Sequence, residues 1–152
     1  MTHECRCTQR QILKYQQRVS GPLLDRIDIQ VGVSAVPVKE LTGLPAGEPS
    51  AVVRERVMAA RRIQTERYRG MRGVFTNADA KSRDLNDICR LTEKAAEEIR
   101  RTLERLSLSA RAYDRVLRVA RTSADLRGDA DVNENDIMDA SGYRMLDMKF
   151  WT

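Results

Sequence analysis

Apolar positions set the plan of this chain. Tyr113, Val116, Leu117, Ala120 and Ala124 recur at intervals of three and four, the spacing of a stripe along one side of a helix. Ser109 is a good N-cap before that stripe and Gly128 a good stop after it, so the stretch predicts the central helix of a small bundle. Upstream, Val53, Val57, Ala60 and Ile63 form the inner line of a long helix over about 50–69, with arginines on its outer side. Ser82 or Asp84 caps a short helix through Arg90, and Thr92 caps another whose inward residues are Ala95, Ile99, Leu103 and Leu106. In that helix Glu93, Glu97 and Glu98 come early and Arg100, Arg101 and Arg105 come late, an order that complements the helix dipole and needs no functional cause. Val132 and Ile137 staple a last helix over about 134–145, capped at Asn133, in which Gly142 costs roughly 1 kcal/mol.

Before residue 50 the pattern changes. Thr8-Gln-Arg-Gln opens a short amphipathic helix over 8–19, and Ser20-Gly-Pro22 stops it. After about one turn, Ile27, Ile29, Val31 and Val33 alternate with Asp28, Gln30, Gly32 and Ser34, the period of a strand. A lone strand leaves its backbone N–H and C=O groups unpaired, so residues 27–33 are expected to belong to a sheet whose other strands lie outside this sequence. Residues 36–50 hold three prolines and two glycines and read as a linker.

Composition narrows the class. With 152 residues and 41% apolar content, the chain is long enough for one ordinary domain with a core. A charged content of 32% and a net charge of +5 suit a soluble protein that meets anions, such as the phosphates of a nucleotide or a nucleic acid. No stretch approaches the roughly 20 apolar residues of a membrane span, and no signal peptide precedes the polar start, so a cytoplasmic protein is expected. Arg111, Arg115 and Arg118 stand at i, i+4 and i+7 and share a face beside the apolar one. Arg111 falls in the first helical turn, where the dipole disfavours a cation by a few tenths of a kcal/mol, on the order of a weak surface contact, unless an anion is present. Free N–H groups beside a guanidinium make a phosphate site; a solvated surface arginine is the plainer alternative.

Two strings carry a family resemblance. Ser109-Ala-Arg111 followed by Val116-Leu-Arg-Val-Ala-Arg121 resembles the lid helix of AAA+ ATPases, and Ser20-Gly-Pro-Leu-Leu-Asp-Arg-Ile-Asp-Ile-Gln-Val31 resembles the arginine-finger segment and last core strand of the Mg-chelatase-like, ComM-type group. The similarity runs over most of residues 5–146. It implies a mainly α chain, an AAA+ C-terminal helical lid preceded by a remnant, one helix plus one strand, of the α/β ATPase core. Residues 1–36 would be that remnant, 37–81 the linker and long helix, 82–146 the lid and 147–152 a tail. Residues 1–36 would be mobile or misplaced on their own, and 82–146 would form the ordered core.

By the same resemblance Arg26 is the finger offered in trans to a neighbouring subunit's γ-phosphate, and Arg111 is sensor 2, acting in cis or in trans. A salt bridge from Arg26 to Asp25 or Asp28 is the alternative that the residues themselves suggest. Arg115 and Arg118 read as interface or surface residues. The glycine-rich loop with Lys and Ser/Thr, and the acidic pair that holds Mg²⁺, are missing from the sequence, so the chain alone should not hydrolyse ATP. ATP and Mg²⁺ would belong to the complete protein, a homo-oligomeric ring, expected to be a hexamer, that moves DNA as a branch-migration helicase. The chain alone would be monomeric, with DNA contact through phosphates only. A magnesium chelatase motor, or a self-contained basic helical module that binds nucleic acid, is the alternative. Cys5 and Cys7 are too close for an ordinary disulfide; relatives of this type carry another cysteine pair upstream, which makes these two either half of a Zn²⁺ clip or inert thiols. Cys89, inside an apolar helical pattern, reads as core.

Overall fold

A computed structural model of the chain describes residues 6–24, 26–33, 47–106 and 109–144. Its α-helices are α1 (Gln9–Gln16), α2 (Gly21–Leu24), α3 (Ser50–Arg67), α4 (Leu85–Ile88), α5 (Glu93–Leu106), α6 (Ala110–Arg127) and α7 (Glu134–Gly142). The bundle forms around α6. Val116, Leu117, Ala120 and Ala124 are buried at the spacing read from the sequence, and α6 packs against α7 and α3. Ser109 caps it, with its Oγ accepting from the Ala112 N–H at 3.2 Å, and Gly128 ends it at φ +80°, a left-handed conformation that a Cβ would strain. From α5, Ala95 and Ile99 are buried and Leu103 is partly so, while Tyr68, Val74, Ala80, Leu85 and Cys89 complete the core.

The last helix starts as expected. Asn133 Oδ1 accepts from the N–H groups of Asn135 and Asp136, Asp136 reaches back to the Asn133 N–H, and Val132 and Ile137 are both fully buried. It stops at Gly142, short of the expected residue 145, where glycine gives the least support to another turn. The short helix expected through Arg90 also stops early. A 3₁₀ turn at Ser82–Asp84 leads into the single turn of α4, after which Leu91 pairs with Val132 in an isolated parallel bridge. The Val132 N–H donates to the Arg90 carbonyl at 2.7 Å and the Thr92 N–H to the Val132 carbonyl at 3.0 Å. The backbone of 90–92 is therefore committed to the chain before α7 and cannot continue a helix.

Two expectations need correction. The inner line expected for α3 holds only in part: Ala60 is buried and Ile63 half-buried, but Val53 and Val57 are exposed, and Gln64 and the following Tyr68 are buried instead. Residues 50–58 are exposed throughout, and Val57 borders an open hollow toward Thr122 and Leu126 rather than a filled interface. Nor does the alternating segment 27–33 form a strand. Ile27, Ile29, Val31 and Val33 are all exposed, and among the described residues the segment has one backbone-to-backbone bond to the bundle, from the Gln30 N–H to the Tyr143 carbonyl at 3.0 Å, besides the Ile27 carbonyl that accepts from Arg144 Nη1 at 3.3 Å. Alternation supplies the faces of a strand, but the ladder needs a second edge, and the described residues offer none.

Candidate functional site

The five arginines of α6 have different fates; Arg127, in its last turn, pairs with Asp129 and with the buried Asp136. Arg121 has a fully buried side chain, and its guanidinium donates to the carbonyls of Ala130 and Asp129 and to Asp125. Arg118 clamps the Ala80 carbonyl with Nε and Nη2 at 3.1 and 2.9 Å, which fastens the loop before α4 onto the helix. Arg115 donates through Nη1 to the carbonyl of Arg26 at 2.8 Å and pairs with the Asp28 carboxylate. Arg111 is exposed, and among the described residues it has neither a hydrogen bond nor an ion pair. The first turn of α6 contains no acidic residue to offset it. Arg115 and Arg118, expected at an interface or in solvent, thus serve the chain's own fold.

Arg26 stands where Arg115 holds the backbone. Its side chain is exposed and, among the described residues, donates only to a neutral acceptor, the Pro22 carbonyl at 3.0 Å. The ion pair that Asp28 could have offered it is taken by Arg115, and Asp25, the other alternative, lies outside the described residues. Arg111 is one turn N-terminal to Arg115, about 6 Å along the helix axis. The clasp therefore brings the Arg26 segment to the N-terminal half of the helix that carries Arg111, and leaves both guanidinium charges without a carboxylate among the described residues.

A cleft of about 320 Å³ between this segment and α6 and α7 is lined by Ile29, Val119, Leu126 and Tyr143 together with Arg118 and Asp139. Its one arginine is already spent on Ala80, which leaves no cation there to meet a phosphate. The zinc expectation rests on Cys5, outside the described residues; Cys7 is exposed, and among the described residues no three His, Cys, Asp or Glu side chains converge. Cys89 is buried as expected of a core residue, and desolvation pushes its thiol up to about 11. No helix among the described residues is long and apolar enough to cross a membrane.

Sequence reasoning missed the buried polar centre. Asp125, 1% exposed, accepts from Arg67, Gln64, Asn77 and Arg121. Burial alone would raise its carboxyl pKa; hydrogen bonds from Arg67 and Asn77 and the charge of Arg121 outweigh that and hold it below the ordinary range. Asp136 behaves alike, with burial opposed by Arg127 and by the Asn133 N–H. The one local signal was the i, i+4 pair Arg121–Asp125 lying among the alanines of the apolar stripe.

Comparison with known proteins gives the context of these residues. The family model described as magnesium chelatase, subunit ChlI C-terminal, matches residues 47–144, and the model described as magnesium chelatase, subunit ChlI, matches residues 1–41. The competence protein ComM of Haemophilus influenzae is 41% identical over 147 residues, 95% of this chain and 28% of the relative. The uncharacterized protein YifB of Escherichia coli K12 is 38% identical over 144 residues, covering 93% and 27%, and an uncharacterized protein of Mycobacterium tuberculosis H37Rv is 33% identical over 141 residues, covering 93% and 28%. The chain therefore spans little more than a quarter of the length of these relatives. With the C-terminal family model matched from Gly47 to Arg144, the chain belongs to the Mg-chelatase-like family of ComM and YifB, and corresponds to its C-terminal portion.

Proposed function

We propose that this chain is the lid end of a Mg-chelatase-like AAA+ ATPase, and that Arg26 and Arg111 act as arginine finger and sensor 2 in a hexameric ring that works on DNA as a branch-migration helicase. ATP and Mg²⁺ belong to the core of that protein. In phosphoryl transfer the negative charge spreads over the γ-phosphate oxygens, and an arginine that arrives uncommitted is worth about three to five orders of magnitude in rate. The observation that carries the reading is the division of labour along α6: Arg115, Arg118 and Arg121 are bound within the fold, while Arg111, and Arg26 in the segment Arg115 holds, keep exposed guanidiniums with no carboxylate partner among the described residues. Residues 27–33, alternating but unladdered, fit a strand whose sheet is supplied by the ATPase core.

The test is a chimera that carries this chain behind the preceding part of the Haemophilus relative. Arg26→Ala should lower ATP turnover by about a thousandfold or more, and doping wild-type rings with Arg26→Ala subunits should depress turnover in neighbouring sites. Arg111→Ala should lower turnover without preventing assembly. Turnover within twofold of the parent for both variants, or ATP hydrolysis by the 152-residue chain alone, defeats the proposal. A magnesium chelatase motor is the second reading, favoured by the description of the matching family models. It would use the same two arginines, and stimulation of the chimera by branched DNA rather than by a porphyrin separates the two.

A further inference from the structure

The loop after α3, Arg69-Gly-Met-Arg-Gly-Val-Phe75, carries chemistry that neither the core nor the arginine pair uses. It is fastened from beneath. Tyr68 and Val74 are buried, the Tyr68 hydroxyl donates to Asn77 Oδ1 at 2.7 Å, and the N–H groups of Phe75 and Thr76 donate to the Asp79 carboxylate at 3.2 and 3.0 Å. Gly70 and Gly73 adopt φ of +85° and +76°, with no atom within 4 Å of where a Cβ would stand. A guest could therefore come close to the backbone at both places. Yet Phe75, set between the buried Val74 and the capped turn at Asn77, is 73% exposed. A well-held backbone presents the ring to solvent, although burial of a phenylalanine is normally favourable.

The charges around the ring are mostly of one sign. Two hollows adjoin at Met71, Arg72 and Val74, which line both; Arg69 and Phe75 border the first, of about 520 Å³, and Lys81 and Arg83 border the second, of about 410 Å³. Among the carboxylates, Glu66 pairs with Arg69, Asp84 stands 3.4 Å from Arg83, and Asp79 accepts from the loop's own N–H groups. Arg72 and Lys81 have no carboxylate in ion-pair range among the described residues.

We infer that this loop binds single-stranded nucleic acid, with Arg69, Arg72, Lys81 and Arg83 meeting phosphates and Phe75 stacking on a base. Exposed aromatic rings beside a cationic track are how sequence-tolerant single-strand sites work, because every base offers a π-face. An acidic peptide would use the cations and leave the ring idle, and a duplex keeps its bases stacked on one another. The inference deepens the DNA-handling half of the proposed function and involves neither ATP nor the arginine pair. Its test therefore runs on the 152-residue chain without nucleotide, and Arg26→Ala and Arg111→Ala should leave binding unchanged.

The probe is fluorescein-labelled oligo-dT of about 15 nucleotides, followed by anisotropy from about 50 mM salt upward. With four phosphate contacts the log–log salt slope should be near −2.8, at about 0.7 per contact, and Arg72→Ala and Lys81→Ala should each flatten it by about 0.7. Phe75→Ala should weaken binding about 5- to 150-fold while Phe75→Trp retains it, with circular dichroism confirming that both variants fold. Oligo-dT should bind more tightly than a duplex of equal length or polyglutamate; an oligo-U that binds as well as oligo-dT supports the same site with RNA as a second guest. The inference is overturned by an absence of binding at low salt, by Phe75→Ala that binds like the wild type, or by a duplex or polyglutamate that binds as tightly as oligo-dT.

Discussion

Removing the Asp125 carboxylate should be among the most damaging single changes to this fold. The carboxylate receives Arg67 through both terminal nitrogens, Asn77 Nδ2 at 2.8 Å, Gln64 Nε2 at 3.2 Å and Arg121 Nε at 3.1 Å. It joins α3, the Asn77 turn and α6 at one point. In Asp125→Ala the Arg67 side chain, 18% exposed, can turn partly to water, but the Arg121 side chain is 0% exposed and cannot. Its two backbone carbonyl acceptors remain, and its charge loses its counterion. Breaking a buried pair from one side costs about 3–5 kcal/mol, because the surviving charge stays in the low-dielectric interior. At about 4 °C per kcal/mol for a domain of this size, the melting temperature should fall by about 12–20 °C. Adding Arg121→Met should recover part of that loss, since the stranded charge goes with the arginine; the double-mutant cycle should give a coupling of about 2 kcal/mol or more. Urea titrations at constant m, read by far-ultraviolet circular dichroism, measure all four corners. A loss below about 1 kcal/mol for Asp125→Ala, or an additive cycle, refutes the reasoning.

The same centre sets the acid response. Asp125 and Asp136 have carboxyl groups held below their ordinary range, so the unfolded chain binds protons more readily; the stabilisation is complete above about pH 4 and lost as pH falls through the lowered folded values. Urea midpoints should drop steeply between about pH 4 and pH 2, and a flat profile there would contradict the shifts. Asn133→Ala removes the acceptor for two N–H groups at the start of α7 and should lower stability by about 1 kcal/mol, read as a shift in urea midpoint with unchanged slope. Cys89, buried with its thiol pushed up to about 11, should resist a thiol-specific disulfide reagent at neutral pH in the native chain and react only on unfolding. Labelling of Cys89 as fast as the exposed Cys7 would mean that the α4 region opens far more readily than its packing implies.

Much of the bundle was legible because its signals are local. The stripe of Val116, Leu117, Ala120 and Ala124, the caps at Ser109 and Asn133, and the stop at Gly128 each depend on a few neighbouring residues, and each appears where the period places it. The Asp125 centre was not legible, because its partners Gln64, Arg67 and Asn77 lie between 48 and 61 residues away and nothing in their own surroundings marks them as buried. The short helix ending before Arg90 failed for the same reason: its backbone is claimed by Val132, forty residues on in round figures, a tertiary cause with no local signature.

Periodicity states which way a side chain points, and only tertiary structure states what stands there. Val57 and Val116 obey the same rule in sequence, yet one is 44% exposed at the edge of an open hollow beside Leu126 and the other, inside the core, 1%. The arginines of α6 follow suit. Arg111 and Arg121 both sit in a repeating helical register, and what divides them is that Asp125 and two backbone carbonyls close on Arg121, while nothing described closes on Arg111. An arginine buried with all its charge answered is a structural member. One left in the first turn with an unopposed dipole raises the free energy of the isolated chain by a few tenths of a kcal/mol, on the order of a weak ion pair, and an arriving phosphate would relieve that. The proposed roles of Arg26 and Arg111 thus rest on a feature akin to the one that makes Phe75 conspicuous: exposed groups whose charge or apolar surface no described residue answers, Arg26 reaching only a backbone carbonyl.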